Sequence, residues 1–509
     1  MVDRIRGRKL LFAAFVVLAL AAVYGVAGLR HAAPAAGYAT SKAVHAPVTS
    51  AIRACPAPGS AGVAAGSLVT AAVPASASGG TAVVTRLVAG GSATLGPVTA
   101  TISAPNLSQI TAVKTAAALP KGLQASQPGS SPQVTTEAGR GGVEVNATGA
   151  MAQGLAVEQA GRNGITTAQC GSPGTSFWFV GPGQSSAADV ELYLMNTDSV
   201  AADAQVTAVT DATKGGPVLG GADNGITVPP HSMVTQSLGS LLQSSKIVAL
   251  NVTTSVGRVV AAVRESRNGS DQGGWLPQAA APATTQVIPG LPSTSGSREL
   301  YVAVPGDAAA AIKVTAVTSR GSYQPTGGTD IELLGNTADE ISLPSLGGVA
   351  SAIKVSSSVP VVAGMLVPGG PAGMPGAMAA SAGPVQEQGV LVGSPVGSAG
   401  STDLVLSAPA KAAAVRVVVS AAGVPVTGQA GTVVQVKAGN TIVVPVKTPH
   451  GHRISQVTIV VSPLPDSGPL YAARVITSGG VIQSIMPVPS SLTWVLEPAV
   501  HSSLGALLP

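Results

Sequence analysis

Charge is scarce in this sequence: Asp, Glu, Lys and Arg make up 10% of its 509 residues, aromatics 3%, and there are two cysteines. A nucleic-acid-binding chain needs a basic stripe and rings for stacking, so that class is excluded. The net charge of +5 does not restore it, because Asp3, Arg4, Arg6, Arg8 and Lys9 alone carry +3. Disorder sustained by charge is excluded too, since 45% of the residues are apolar, chiefly alanine and valine. Catalytic patterns are also missing. No GxSxG, HExxH, Walker A, GxGxxG or EF-hand loop occurs. His450-Gly451-His452 offers two imidazoles with no Cys, Asp or Glu beside them, and reads as a turn. Asp339 and Glu340 are adjacent, which turns their carboxylates to opposite sides, and they read as a solvated loop. No catalytic residue, metal or cofactor is expected, and the chain reads as a non-enzyme.

What is present favours strands. Val, Ile and Thr fit a pleated surface, while 63 Gly and 39 Pro interrupt helical periodicity. The length exceeds what one core organises, so several units are expected. Residues 10–29 (LLFAAFVVLALAAVYGVAGL) carry no charge, long enough as a helix to cross a bilayer behind the basic segment 1–9. Positive residues stay inside, which predicts a single-pass cell-membrane protein with a cytoplasmic N-terminus and an extracellular bulk. A cleaved signal peptide ending near Ala33-Pro34-Ala35 is the alternative, giving a secreted protein. Either route exports the remainder, where Cys55 and Cys170 can form a disulfide; separately buried thiols are the other reading.

Beyond a linker at 30–50, four stretches share a Pro/Gly lead-in followed by an apolar strand: SLVTAAVPA, SFWFVGPG, ELYVAVPG and DLVLSAPA. VTAVT recurs at 206–210 and 314–318, with VRVVVS at 415–420 in the fourth place. Units are therefore expected at 51–165, 166–266, 285–367 and 387–498, with linkers at 267–284 and 368–386 and a tail at 499–509. Each contains about six or seven short strands, which predicts an all-β chain of tandem antiparallel immunoglobulin-like sandwiches. A β-propeller with two blades per repeat is the alternative. LNVTTSVGRVVAAV (250–263) and IKVSSSVPVVAGML (353–366) read as terminal hairpins.

Phe177-Trp178-Phe179 concentrates ring surface in a chain with four phenylalanines. Aligned on the lead-ins, it takes the place of Tyr301-Val302-Ala303 and Val405-Leu406-Ser407. Phe177 and Phe179 must face opposite to Trp178. Either Phe177 and Phe179 pack inside with Trp178 partly covered by the adjacent disulfide, or Trp178 builds a surface for a sugar or a partner. Trp275, in the Gly/Pro-rich linker, is a second candidate for such a surface; it and Trp494 also read as interdomain plugs.

The basic N-terminus, single membrane segment, Ala/Val/Gly-rich exported region, Cys55-Pro56, Cys170 close before a Trp-containing strand and Pro-Gly strand ends together resemble the actinobacterial domain-of-unknown-function family 5719. The resemblance spans nearly the whole chain; it implies an exported, envelope-associated protein and transfers no catalytic residue. The expected function is a structural, scaffold or adhesion module of the cell envelope. The alternative is a module that binds cell-wall glycan or an envelope protein.

Overall fold

Branched and small residues alternate so regularly that almost every described segment is a strand. The computed structural model describes residues 16–18, 20–21, 44–56, 67–72, 80–89, 100–103, 133–136, 142–160, 167–183, 189–211, 218–219, 225–238, 242, 245–266, 274–294, 296–344, 346–370, 376–421, 424–425, 431–447 and 455–497. The basic segment 1–9, most of the apolar run 10–29, the His450-Gly451-His452 turn and the tail 499–509 lie outside them. No helix among the described residues is long and apolar enough to cross a membrane.

Two compact units form, one of residues 1–46 with 495–509 and one of residues 47–494. In the smaller, residues 16–18 and 20–21 are helical with Val16, Val17, Leu18 and Leu20 exposed, and 44–46 and 495–497 are extended.

The larger repeats one strand order four times. Its second repeat shows the plan. Ser176–Pro182 comes first, then Asp189–Asn196, Ala202–Thr210, the short pieces Val218–Leu219 and Ile226–Val228, Ser232–Ser237, Ile247–Val256 and Val260–Ser266. The first strand pairs with Ile247–Val256, which pairs with Ala202–Thr210 and so reaches the short pieces. The second strand pairs with Ser232–Ser237 on one side and Val260–Ser266 on the other. Two sheets result, with Phe179, Val206 and Leu250 of one meeting Leu192 and Val263 of the other. The repeats that begin at Ser50–Cys55, Ala283–Leu291 and Gly389–Pro395 pair their strands in the same way. VTAVT lies in the third strand of both repeats that contain it, with the same burial pattern.

An immunoglobulin arrangement sets the last strand beside the one before it; here the last strand, Val260–Ser266 or Tyr471–Ser478 in the fourth repeat, lies beside the second. The propeller alternative is corrected. Neither sheet of a repeat is a run of consecutive strands, and among the described residues there is no propeller closure.

Three further expectations change. The stretches 250–263 and 353–366 are not hairpins, because their two halves join different sheets. In the second repeat the chain turns at Gly257, whose φ of 69° suits glycine. In the third there is no turn: Ser351–Val367 is one strand of 17 residues that pairs with the first and third strands through its early half and the second strand through its late half. Pro360 sits mid-strand, where its fixed φ and its restriction of Val359 keep the chain extended. The linker at 267–284 contributes Trp275–Leu276 to Val260–Ser266 and Gln278–Ala279 to Ser176–Pro182, and that at 368–386 contributes the buried Ala377–Ala380. The aromatic triplet also moves by one strand. It lies on a first strand, whereas Tyr301-Val302-Ala303 and Val405-Leu406-Ser407 lie on second strands. The true counterpart of their Pro/Gly boundary is Gly181-Pro182-Gly183, not the lead-in after Cys170.

Most inner strands are buried on both faces, which explains their near-continuous apolar runs. Leu300, Val302 and Val304 enter the core of the third repeat, while Tyr301 and Ala303 of the same strand join the core of the second. Ala54 and Leu87 of the first repeat pack with Tyr193, Met195 and Val260 of the second. Val287 and Val317 of the third meet Tyr471 of the fourth. Ala156 of the first meets Val390 and Val392 of the fourth. Each repeat therefore packs against two others.

Candidate functional site

The contacts among the first, second and fourth repeats leave a cavity of about 300 Å³. Its position follows from the strand order. Ser50–Cys55 brings Arg53; Ser176–Pro182 brings Phe177 and Phe179; the short strand Trp275–Leu276 brings an indole; the fourth repeat closes the wall with Val390 to Val392 and Ser490.

The faces of the Phe177-Trp178-Phe179 strand meet different neighbours. Phe177 and Phe179 point into the second repeat and line the cavity, 4% and 2% exposed. Trp178 lies on the opposite face and is 8% exposed. That face meets the third repeat, where a Cβ added to Gly364 would stand 3.0 Å from Val180 O. Trp178 thus presents no ring to solvent, because a neighbouring sheet covers it. Trp275 is half-buried on the cavity wall, its ring centroid 5.2 Å from that of Tyr193. Tyr193 donates to Glu191 Oε2 at 2.7 Å, and its hydroxyl pKa is raised, first by burial and then by that carboxylate. Trp494 is 48% exposed and plugs nothing in this way.

Cys55 and Cys170 form a disulfide across 115 residues, tying the first strand of the first repeat to the chain that leads into the second. Ala54 and Gly171 exchange backbone hydrogen bonds beside it, at 2.9 and 3.1 Å. Of the two, Cys170 lines the cavity.

Two ionisable groups line the cavity, Arg53 and Glu158. Glu158 is already engaged. Arg474, wholly buried, donates Nη1 to Glu158 Oε2 at 2.9 Å and Nη2 to Oε1, and also reaches Val392 O, Ser394 Oγ and Thr167 Oγ1. Burial pushes the Glu158 carboxyl above its usual range more than Arg474 pulls it down. Among the described residues Arg53 has no such acid. Its one hydrogen bond among the described residues runs from Nη1 to Ile52 O at 2.9 Å, and burial pushes the guanidinium pKa down. Neither charge is visible as a site in the sequence, since Arg53, Glu158 and Arg474 are far apart in the chain and match no motif.

The arrangement combines ring faces, hydrogen-bonding side chains such as Gln169, Ser172 and Gln278, and one cation with no acid beside it among the described residues. It can hold a small ligand by stacking and charge. No histidine lines it, and no cluster of His, Cys, Asp or Glu that could hold a metal occurs among the described residues. Asp339 and Glu340 are both exposed, on opposite faces of the strand Thr337–Leu343 and not in a loop. The carboxylate that acts on Glu340 most is Glu299 on the paired strand; together with burial, the first cause, it raises the Glu340 pKa.

No curated protein and no solved structure matches the chain. A family profile described as a family of unknown function, DUF5719, matches residues 123–447. That span begins within the first repeat, crosses the second and third and ends in the fourth. With nearly two thirds of its 509 residues covered, the chain belongs to the family of unknown function DUF5719.

Proposed function

We propose that this protein is a non-enzymatic scaffold of the cell envelope, anchored by residues 10–29 with its sandwich-like repeats held outside the membrane. The observation that carries the reading is the mutual locking of the repeats. Four tandem units that each pack against two others make a stiff body rather than a flexible string, which suits a spacer or a display platform. The Cys55–Cys170 bond supports an oxidising compartment, and the uncharged run behind a basic cluster supports insertion with the N-terminus inside. Fractionation tests it. The full chain is expected in the membrane fraction, a version lacking residues 1–30 in the soluble fraction, and both with thiols that react only after reduction. A full chain found soluble in the cytosol with freely alkylated cysteines overturns the proposal.

A second reading, favoured by the half-buried Trp275 on the cavity wall, is that the scaffold binds cell-wall glycan there by ring stacking. Trp178 takes no part in it. Retention on insoluble cell wall, reduced in Trp275→Ala and unchanged in an exposed substitution such as Val443→Ala, is the expected result. Equal retention of the two variants overturns it.

A further inference from the structure

We propose that the cavity between the first, second and fourth repeats binds an acidic sugar, with the carboxylate on Arg53 and the sugar ring against Trp275. The inference rests on the glycan-binding reading above and adds the charge of the ligand.

A guanidinium drawn part of the way out of water is normally paired with a carboxylate, and Arg53 is half-buried. Among the described residues no carboxylate pairs with Arg53, whereas the other cavity charge is paired. Glu158 is matched by Arg474, so among the described residues the wall keeps one cation without an acid. A guanidinium stays protonated at neutral pH even when burial lowers its pKa, and four of its five N–H donors have no partner among the described residues. Its planar fork matches the two oxygens of a carboxylate. The same cavity is lined by an indole and two phenyl rings, which can take the apolar face of a pyranose, and by Gln169, Ser172, Gln278 and Ser490, which can meet hydroxyls. At about 300 Å³ the space is at the low end for ligand sites, enough for a ring or two.

The test compares N-acetylmuramic acid with N-acetylglucosamine, which shares the ring and lacks the lactyl carboxylate. Binding to the full-length protein in detergent is measured by calorimetry at low and high salt. The acid is expected to bind at least about tenfold tighter, consistent with a charge-assisted hydrogen bond. The advantage is expected to shrink in high salt and to vanish in Arg53→Gln, with partial retention in Arg53→Lys. Trp275→Ala is expected to weaken both sugars alike. Thermal unfolding separates this from a structural role: Arg53→Gln removes an unpaired charge, so its melting temperature should equal or exceed that of the parent. Equal affinity for the two sugars, with Trp275→Ala weakening both, overturns the role of Arg53 and leaves glycan binding standing. Absence of binding by either sugar overturns both. An Arg53→Gln protein that melts well below the parent assigns Arg53 to the fold and also overturns the proposal.

Discussion

The junction between the second and third repeats and the junction between the fourth and first are built differently. The former is hydrocarbon. Tyr301, Ala303, Val362 and Ala380 of the third repeat extend the core of the second without interruption, and Gly364 lets the two backbones approach. The latter has a small apolar contact, Ala156 on Val390 and Val392, and beside it the buried pair Glu158–Arg474. Apolar contact is non-directional and tolerates sliding, whereas a bidentate ion pair is satisfied in one geometry. Repeats consecutive in sequence are already near one another. The first and last are separated by some 300 residues, and their docking is fixed by the directional contact.

The largest expected effect comes from releasing the first repeat from its other neighbour. Cys55→Ser should cost on the order of 4 to 5 kcal/mol, given the 115-residue loop that the bond closes. Chemical denaturation of the variant against the oxidised parent measures it. If the polar junction alone suffices to seat the first repeat, the loss will be far smaller.

Next is the ion pair itself. Arg474→Ala leaves Glu158 buried without its partner and should cost about 3 to 5 kcal/mol, while the double change Arg474→Leu with Glu158→Leu should cost much less. A double variant as unstable as Arg474→Ala would show that packing, not charge, governs the junction. The apolar junction is probed by Gly364→Ala. The new methyl would meet Val180 O at 3.0 Å and Val180 Cβ at 3.1 Å, and about 1 to 3 kcal/mol of destabilisation is expected from overpacking. Unchanged stability would mean that the two sheets can part freely.

The smallest effect is the pH dependence, and it belongs to the polar junction only. The Glu158 pKa is raised in the folded protein. As pH rises past the ordinary carboxylate value of about 4.3, the unfolded chain releases this proton first and the folded chain retains it. The folded state then binds more protons, so this group's contribution falls as pH rises through that window. Melting temperature should decline less steeply from pH 4.5 upward in the Arg474→Leu, Glu158→Leu variant than in the parent. Parallel profiles would remove Glu158 as the source.

Much of the architecture was legible in the residues. The period of two, the Gly and Pro breaks and the repeated VTAVT are local features, and they pointed to an all-β chain of four units with matching third strands. Cys55 and Cys170 were the only thiols available to pair. The register of the aromatic strand is not legible locally, because a Pro/Gly boundary looks alike before a first strand and after it. Nor is the crossing at 250–263 and 353–366, because apolar–turn–apolar describes two strands of one sheet and equally a chain passing between sheets. Arg53, Glu158 and Arg474 gave no signal, since a lone charge in an apolar strand reads the same whether solvent, an acid or an empty cavity meets it.

The sequence by itself determined which segments become strands and which residues share a face, because backbone sterics and side-chain alternation act over a few residues. Tertiary structure decided which face meets which neighbour: that Trp178 is covered by the third repeat, that Trp275 borders a cavity, and that Arg474 finds Glu158. Those outcomes depend on contacts between residues hundreds of positions apart, and no local pattern encodes them.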